Sequence, residues 1–403
     1  MMPRTLLAIT LATLLFSCQS YKKLHQEAIV IDTHNDVLSQ VMMEGKSIED
    51  NLTGQAHTDL NRLMRGGVDV QVFSVFCDEK FGKDTAFKYA NLQIDALQAV
   101  AQRNPDRMIL VNSPAQLQMA VRQQKLGTMI GVEGGHMIED NLAYLDSLYY
   151  RGARYLTLTW NNSTSWASSA KDESADSSIT STGTPTTPVR KGLTDFGKQV
   201  VRRMNELGMI VDVSHVGEQT FWDVMSMTTK PVIASHSCAH AICPVFRNLT
   251  DEQIKAIGKN GGVVHLNFFS GFVDPAFTAR LQEFRNTHRA EMDSMRARNM
   301  AGYEIVAQIA KLYPEEAASL RPPLALLLDH VDHIVKLVGV EHVGLGSDFD
   351  GISSAPQGLD DVTSYPLITK ALRKRGYNKK EIRMILGENF IRVFRANARQ
   401  AGS

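Results

Sequence analysis

Cysteine is scarce in this chain: four in 403 residues, too few and too irregularly spaced for a disulfide framework or a zinc ribbon. Net charge is missing altogether. Lys+Arg and Asp+Glu are both 43, so composition offers no basic field for nucleic acid and no charged block that reads as an interaction tail. A membrane-spanning run is missing too, since the apolar stretch from Leu6 to Phe16 is about half the length a spanning helix needs. No internal repeat and no second domain is visible. What remains is 43% hydrophobic and 21% charged, the make-up of a globular protein long enough for one barrel with insertions.

The first residues are of a different kind. Arg4, the apolar stretch and then Ser17-Cys18 have the layout of a signal peptide. The ending "LFSC" resembles a bacterial lipoprotein signal cut before Cys18, although Phe16 is bulky where such signals carry a small residue. An ordinary signal peptide is the alternative. The expected division is a signal over 1–17, a tether over 18–26 and one folded unit over 27–400. The expected location is the cell envelope, with membrane attachment through a lipid on Cys18. Cys77, Cys238 and Cys243 read as buried or incidental thiols, with a Cys238–Cys243 bridge left open in an exported protein.

From residue 28 onward, short β-rich apolar runs alternate with longer amphipathic stretches. The runs are "AIVID" (28–32), "VDVQVFSVF" (68–76), "TMIGVE" (128–133), "RYLTLTW" (154–160), "MIVDVSH" (209–215), "PVIASH" (231–236), "GGVVHLNFF" (261–269) and "HVGLGSD" (342–348). Their continuous Val/Ile/Leu character suits strands buried on both faces of a parallel sheet. Between them, helices are expected over 87–103, 194–208 and 250–262; the last opens with Thr250 and Gln253 in capping-box register. Eight strands alternating with helices predict an α/β (β/α)8 TIM-type barrel, with a doubly wound open sheet as the competing architecture. The Ser/Thr-rich stretch 168–188 reads as a long loop, and 271–328 as a helical insertion between the seventh and eighth strands.

Polar residues collect where these runs end. His34 and Asp36 close the first, and at alternate positions of an extended chain they point to one side. Glu133 closes the third, His215 the fifth, His236 the sixth, and Asp348 with Asp350 the eighth. A barrel brings all these ends to one rim. Three imidazoles and several carboxylates gathered there form a nitrogen and oxygen ligand set suited to zinc or another divalent metal. Each residue alone would be an ordinary strand-end group; the joint pattern carries the reading. His136 is expected to support Glu133. His240 and His265 are expected to be structural, and His330, His333 and His342 solvated. By its own neighbourhood Arg247 reads as a surface residue before a helix.

The segments "DTHND", "GVEGGH", "RYLTLTW", "VDVSH", "PVIASHS", "FRNLTDEQI" and "GLGSDFDG" occur in the order found in the membrane (renal-type) dipeptidases of the metal-dependent amidohydrolase superfamily. The resemblance runs from about residue 28 to 396. It implies a barrel with two zinc ions that activate a shared water and cleave dipeptides carrying an L- or D-residue at the C-terminal position. Carried over, His34 and Asp36 bind the first zinc, Glu133 bridges both, and His215 and His236 complete the second site. Arg247 matches the arginine that grips the substrate's terminal carboxylate. Asp348 matches the acid that handles the proton of the attacking water, and Asp350 is a supporting residue. Dimerisation, common among proteins resembling this one, is a further expectation.

One departure stands out. Where the well-known dipeptidases carry a His after strand four, this sequence has Trp160, followed by Asn161 and Asn162. An indole N–H only donates and cannot be charged, so the expectation is that Trp160 lines the substrate site and Asn161 donates to an oxyanion. This leaves two alternatives to a dipeptidase: a hydrolase of N-acyl-amino acids or another small amide or lactone, and a non-catalytic metal- or peptide-binding surface protein.

Overall fold

The computed structural model describes residues 21–174, 190–298, 300 and 302–399. The expected signal peptide, Cys18 and most of the Ser/Thr-rich stretch lie outside these residues. Nine strands form one parallel sheet: β1 (Ile31–Asp32), β2 (Val70–Phe76), β3 (Met108–Leu110), β4 (Leu126–Glu133), β5 (Ala153–Thr157), β6 (Ile210–Asp212), β7 (Ile233–Ala234), β8 (Val263–Leu266) and β9 (Val343–Leu345). The hydrogen-bonded order runs β2-β1-β9-β8-β7-β6-β5-β4, and β4 pairs back onto β2 along its length. Eight strands therefore close into the expected (β/α)8 barrel. The open sheet is ruled out by that closing pair.

The ninth strand was not expected. β3 pairs only with the first residues of β4, Leu126–Thr128, and lies beside the barrel wall. Three residues are too few to show a period in sequence.

Alternate strand residues face inward and outward. Ile31, Val70, Val72, Met129, Tyr155, Ile210, Ile233 and Val263 form one cluster inside the barrel, closed by Phe390 and Phe394 of the last helix, Asn389–Asn397. Their outward neighbours, among them Phe73, Val132, Leu156, Val211 and Leu266, pack against the helical ring. The predicted helices form as Ala86–Arg103, Asp195–Leu207 and Asp251–Asn260. Thr250 and Gln253 close the capping box reciprocally, and Gly208 ends the second helix at φ +78°.

Several expectations change. The tether is already folded by residue 21: residues 21–27 are helical, and the buried His25 bonds Thr369 Oγ1 at 2.7 Å and the Gly66 carbonyl at 2.9 Å. The Ser/Thr-rich stretch begins with a short helix, Ala170–Ser174. The insertion is helical, with Phe284, Met292, Ile305 and Ile309 as its own small core, but it ends sooner than expected. Helix Leu324–Val338 belongs to the barrel and packs on β8, β9 and Asp251–Asn260. All three described cysteines are free and buried, so no Cys238–Cys243 bridge forms. His330 is not solvated: it is fully buried, accepting from the Ala239 N–H and donating to the Val273 carbonyl. His333 and His342 are half-buried and bonded to Asp251 and the Gly262 carbonyl. His265 is structural as expected, donating to the Ala234 carbonyl.

Candidate active site

Each strand-end residue is aimed by its own backbone. β1 stops at Asp32, whose buried carboxylate accepts from the Ser347 N–H and hydroxyl and from the Tyr365 hydroxyl. That anchor fixes the next residues, and His34 and Asp36 turn into the barrel mouth. His215 and Asp348 sit at φ +64° and +61°, a left-handed conformation costing a non-glycine residue about 1 kcal/mol or more. The surroundings hold them there. The His215 carbonyl accepts from the Ala170 N–H at 2.7 Å and the Thr159 hydroxyl at 3.1 Å, and the Asp348 N–H donates to the His34 carbonyl at 3.1 Å.

The five expected ligands converge. His34 Nε2 lies 3.5 Å from Asp36 Oδ2 and 3.4 Å from Glu133 Oε2. The other Glu133 oxygen, Oε1, lies 2.9 Å from His215 Nε2 and 3.4 Å from His236 Nε2. Glu133 thus presents one oxygen to each half of the cluster. Ligand atoms of His34, Glu133 and His236, and of His34, Asp36 and Asp348, each lie within 4.8 Å of one another. Gly351 makes room for this crowding: a Cβ there would sit 2.2 Å from Asp36 Oδ2 and 2.5 Å from Asp348 Oδ1.

All three imidazoles have Nδ1 engaged and Nε2 turned inward. His34 Nδ1 donates to the Tyr155 hydroxyl at 2.8 Å, which in turn donates to the Thr33 carbonyl at 3.0 Å. His236 Nδ1 donates to Ser235 Oγ at 2.8 Å, and Ser235 donates to Asp212 Oδ2 at 2.6 Å. His215 Nδ1 donates to Asn161 Oδ1 at 3.2 Å. Such outer hydrogen bonds fix the tautomer and orientation of metal-binding histidines.

With Nδ1 donating, neutral imidazoles would present their inner nitrogens, beside the carboxylates, as acceptors with nothing to accept from, and such a set attracts a proton or a cation. His215 Nε2 and His236 Nε2 face each other at 2.9 Å, and His34 Nε2 and Asp36 Oδ1 have no hydrogen-bond partner. Burial, followed by the charge of Arg247 for His215 and of His34 for His236, holds both imidazoles below their ordinary range; His215 falls to about 4. Burial alone would lower His34 as well, but Tyr155, Glu133 and Asp36 outweigh it and carry it well above. Against its own burial, Glu133 is driven far down by His34 and by the hydrogen bonds of His215 and His236. The cluster calls for positive charge at its centre, and imidazole nitrogens with carboxylate oxygens are the donors a divalent transition metal takes. The residues fit a metal centre.

Asp348 lies at the edge of this cluster, with Oδ2 accepting from Asn267 Nδ2 at 2.8 Å. Burial and then the neighbouring Asp36 raise its pKa well above the ordinary range. Arg247 is not a surface residue. It is 4% exposed, its guanidinium stands 5.3 Å over the Phe272 ring, and one terminal nitrogen donates to the His236 carbonyl at 3.2 Å. Its Nε has no partner. A cavity of about 350 Å³ opens beside the cluster, lined by Asp36, Glu133, His215, Arg247 and Asp348 together with Phe76, Trp160, Asn161, Phe246, Phe269, Phe272 and Ile352.

Trp160 lines the cavity, half-buried with its ring 4.9 Å from Phe76. Asn161 also lines it, but its side-chain oxygen is committed to His215, so the contact it makes is one that orients that imidazole. His136 does not touch Glu133: its Nε2 bonds the Cys77 carbonyl at 3.0 Å. Asp350 pairs with the backbone and ring of His57 and holds that loop. Tyr155, Asp212, Ser235 and Asn267 were missed by sequence reasoning. Their signal was polar or hydroxyl-bearing residues set inside otherwise apolar strands, as in "RYLTLT", "VDVSH" and "ASHS".

Residues 18–402 match the family described as membrane dipeptidase, peptidase family M19. An uncharacterised dipeptidase of Schizosaccharomyces pombe is 33% identical over 396 residues, covering 94% of this chain and 82% of the relative. Among solved structures, the metallopeptidase dipeptidase AC of family M19 superposes with a TM-score of 0.71 at 26% identity, covering 92% of this chain and 98% of its own. A metallopeptidase from Rhodobacter sphaeroides, solved with a phosphinate mimic of the dipeptide L-Ala-D-Ala, superposes with a TM-score of 0.72 at 25% identity, covering 92% of this chain and all of its own. A closed barrel, a cluster of nitrogen and oxygen ligands at its mouth and a match along the whole folded unit lead to one conclusion: the chain belongs to the membrane dipeptidases, peptidase family M19, and is a metal-dependent dipeptidase.

Proposed function

We propose that this dipeptidase uses two zinc ions and cleaves dipeptides bearing a free C-terminal carboxylate on an L- or D-residue. The observation that carries the reading is the split of Glu133, with one carboxylate oxygen toward His34 and Asp36 and the other toward His215 and His236. Two pairs of ligands sharing one carboxylate suit two cations. When bound, such a pair supplies a water that gives up its proton near neutral pH and polarises the scissile carbonyl.

The remaining work falls to the chain. Asp348, whose raised pKa suits it to carry a proton, takes one from the attacking water and returns it to the departing amine. Asn267 holds the carboxyl in place for both transfers. Arg247 forks onto the substrate's terminal carboxylate, with the Phe272 ring supporting the guanidinium from below. The buried site restricts that grip to short substrates. The N-terminal signal and a lipid on Cys18 belong to the same proposal and place the enzyme in the cell envelope.

A second reading, hydrolysis of N-acyl-amino acids, is favoured by the cavity's lining. Among the described residues the lining holds no carboxylate besides Asp36, Glu133 and Asp348 to meet a substrate ammonium, and Phe76, Trp160, Phe246 and Ile352 are apolar. The test is chelation and zinc readdition over L,L- and L,D-dipeptides, their C-terminal amides and N-acyl-amino acids. Activity on free-acid dipeptides, lost with the metal and on amidation, is expected. Turnover of acyl-amino acids alone would move the assignment to the second reading.

A further inference from the structure

The neutral composition conceals an uneven distribution. From Lys370 to Arg399 the chain has ten lysines and arginines against two glutamates, Glu381 and Glu388, although Lys+Arg and Asp+Glu are both 43 overall. The rest of the chain is correspondingly acidic. The basic residues lie at one place in the fold. Helix Tyr365–Arg375 starts near the active-site rim, where the Tyr365 hydroxyl bonds Asp32, and descends for 11 residues, about 16 Å. Its last turn and the following helix, Lys379–Arg383, therefore lie toward the opposite end of the barrel. Helix Asn389–Asn397 then closes that end with Phe390 and Phe394.

On the first of these helices Lys370, Arg373 and Lys374 are three and four residues apart and share one face. All three are exposed, as are Lys379 and Lys380. Among the described residues none of these five is paired with a carboxylate, whereas the neighbouring Arg375 and Arg383 are, with Asp329, Asp332 and Glu27. These exposed cations thus have no carboxylate partner among the described residues, and Lys370 reaches only the Tyr21 ring.

The described chain begins beside it. Lys370 Nζ lies 5.8 Å from the Tyr21 ring, Thr369 bonds His25, and Arg383 pairs with Glu27 at 3.3 Å. Cys18 precedes Tyr21 by three residues, a reach of at most about 11 Å. We propose that the face formed by Lys370, Arg373, Lys374, Lys379 and Lys380 rests on a bilayer leaflet carrying anionic phospholipid, with the barrel's closed end toward the membrane and the cavity mouth facing away. Basic residues near an anionic leaflet each strengthen binding roughly fivefold, so the face adds a second attachment signal beside any lipid on Cys18. The active-site mouth then opens to the aqueous side, where small peptides diffuse. The orientation rests on the envelope location proposed above; the charge-driven contact does not need the lipid.

The test uses the full chain with Cys18→Ser, so that no acyl group contributes, and cosedimentation with phosphatidylglycerol or phosphatidylcholine vesicles. Binding to phosphatidylglycerol, reversed by half-molar salt and absent with phosphatidylcholine, is expected. A variant with Lys370, Arg373, Lys374, Lys379 and Lys380 all replaced by Glu should lose at least about 100-fold in binding and keep its dipeptide turnover. Equal binding to both vesicles, no binding to either, or undiminished binding by an active charge-reversed variant overturns the proposal. The acyl mass on Cys18 of the natural chain, measured separately, tests the anchor alone.

Discussion

Gly131 lies against the ring of Tyr155 so closely that a Cβ on Gly131 would come within 2.0 Å of the ring's Cζ. The missing side chain lets the tyrosine lie across the barrel interior and deliver its hydroxyl to His34 Nδ1 at 2.8 Å. A glycine on β4 thereby sets the aim of the His34 imidazole after β1.

Gly131→Ala tests this directly. The added methyl must push the Tyr155 ring out of place, at an expected cost of about 1–3 kcal/mol in urea unfolding of the metal-free protein, with weaker metal retention as well. An alanine variant as stable and as tightly metallated as the parent would show that the contact has slack.

Tyr155→Phe removes only the hydroxyl that receives the His34 Nδ1–H. Loss of such an outer partner lowers metal affinity about 10- to 100-fold, to be read by competition with a chromogenic chelator. Ser235→Ala, which cuts His236 from Asp212, should act on the same scale. Unchanged affinity in both variants would mean that the two histidines are oriented by packing alone.

Asn161 separates two roles cleanly. With its oxygen on His215 Nδ1, Asn161→Ala should lower metal content, and Asn161→Asp, which keeps an acceptor, should restore it. An oxyanion donor would behave otherwise: the alanine variant would lose kcat with its metal in place.

His265 offers a pH test away from the ligands. Burial depresses it to about 4, against 6.5 when unfolded. The unfolded chain therefore binds the proton first, and the stability present above pH 6.5 is lost as pH falls toward 4, by an amount on the order of 3 kcal/mol. Replacement by Asn, which also donates to the Ala234 carbonyl, should flatten that part of the pH–stability curve. Equal slopes for parent and variant would remove His265 as the cause.

The cluster was legible in sequence because strand ends in a parallel barrel share one rim, so His34, Glu133, His215 and His236 could be placed together without coordinates. Arg247 was legible only through the resemblance, since its burial arises from the loop after β7 folding back over Phe272. Tyr155 and Asp212 act across the barrel on residues from other strands, and no local pattern encodes such pairings. β3 escaped because three residues give no period. The basic face escaped because the acidic remainder of the chain cancels it in every whole-chain sum.

The central claim is that His34, Asp36, Glu133, His215 and His236 together hold a pair of cations. Metal content per chain of protein purified without chelator, measured beside His34→Ala and His236→Ala, tests it most directly. The account predicts two divalent ions in the parent and at most one in each variant, with dipeptide turnover falling in parallel. Two ions retained in both variants, or full turnover by a parent stripped of metal, would contradict it.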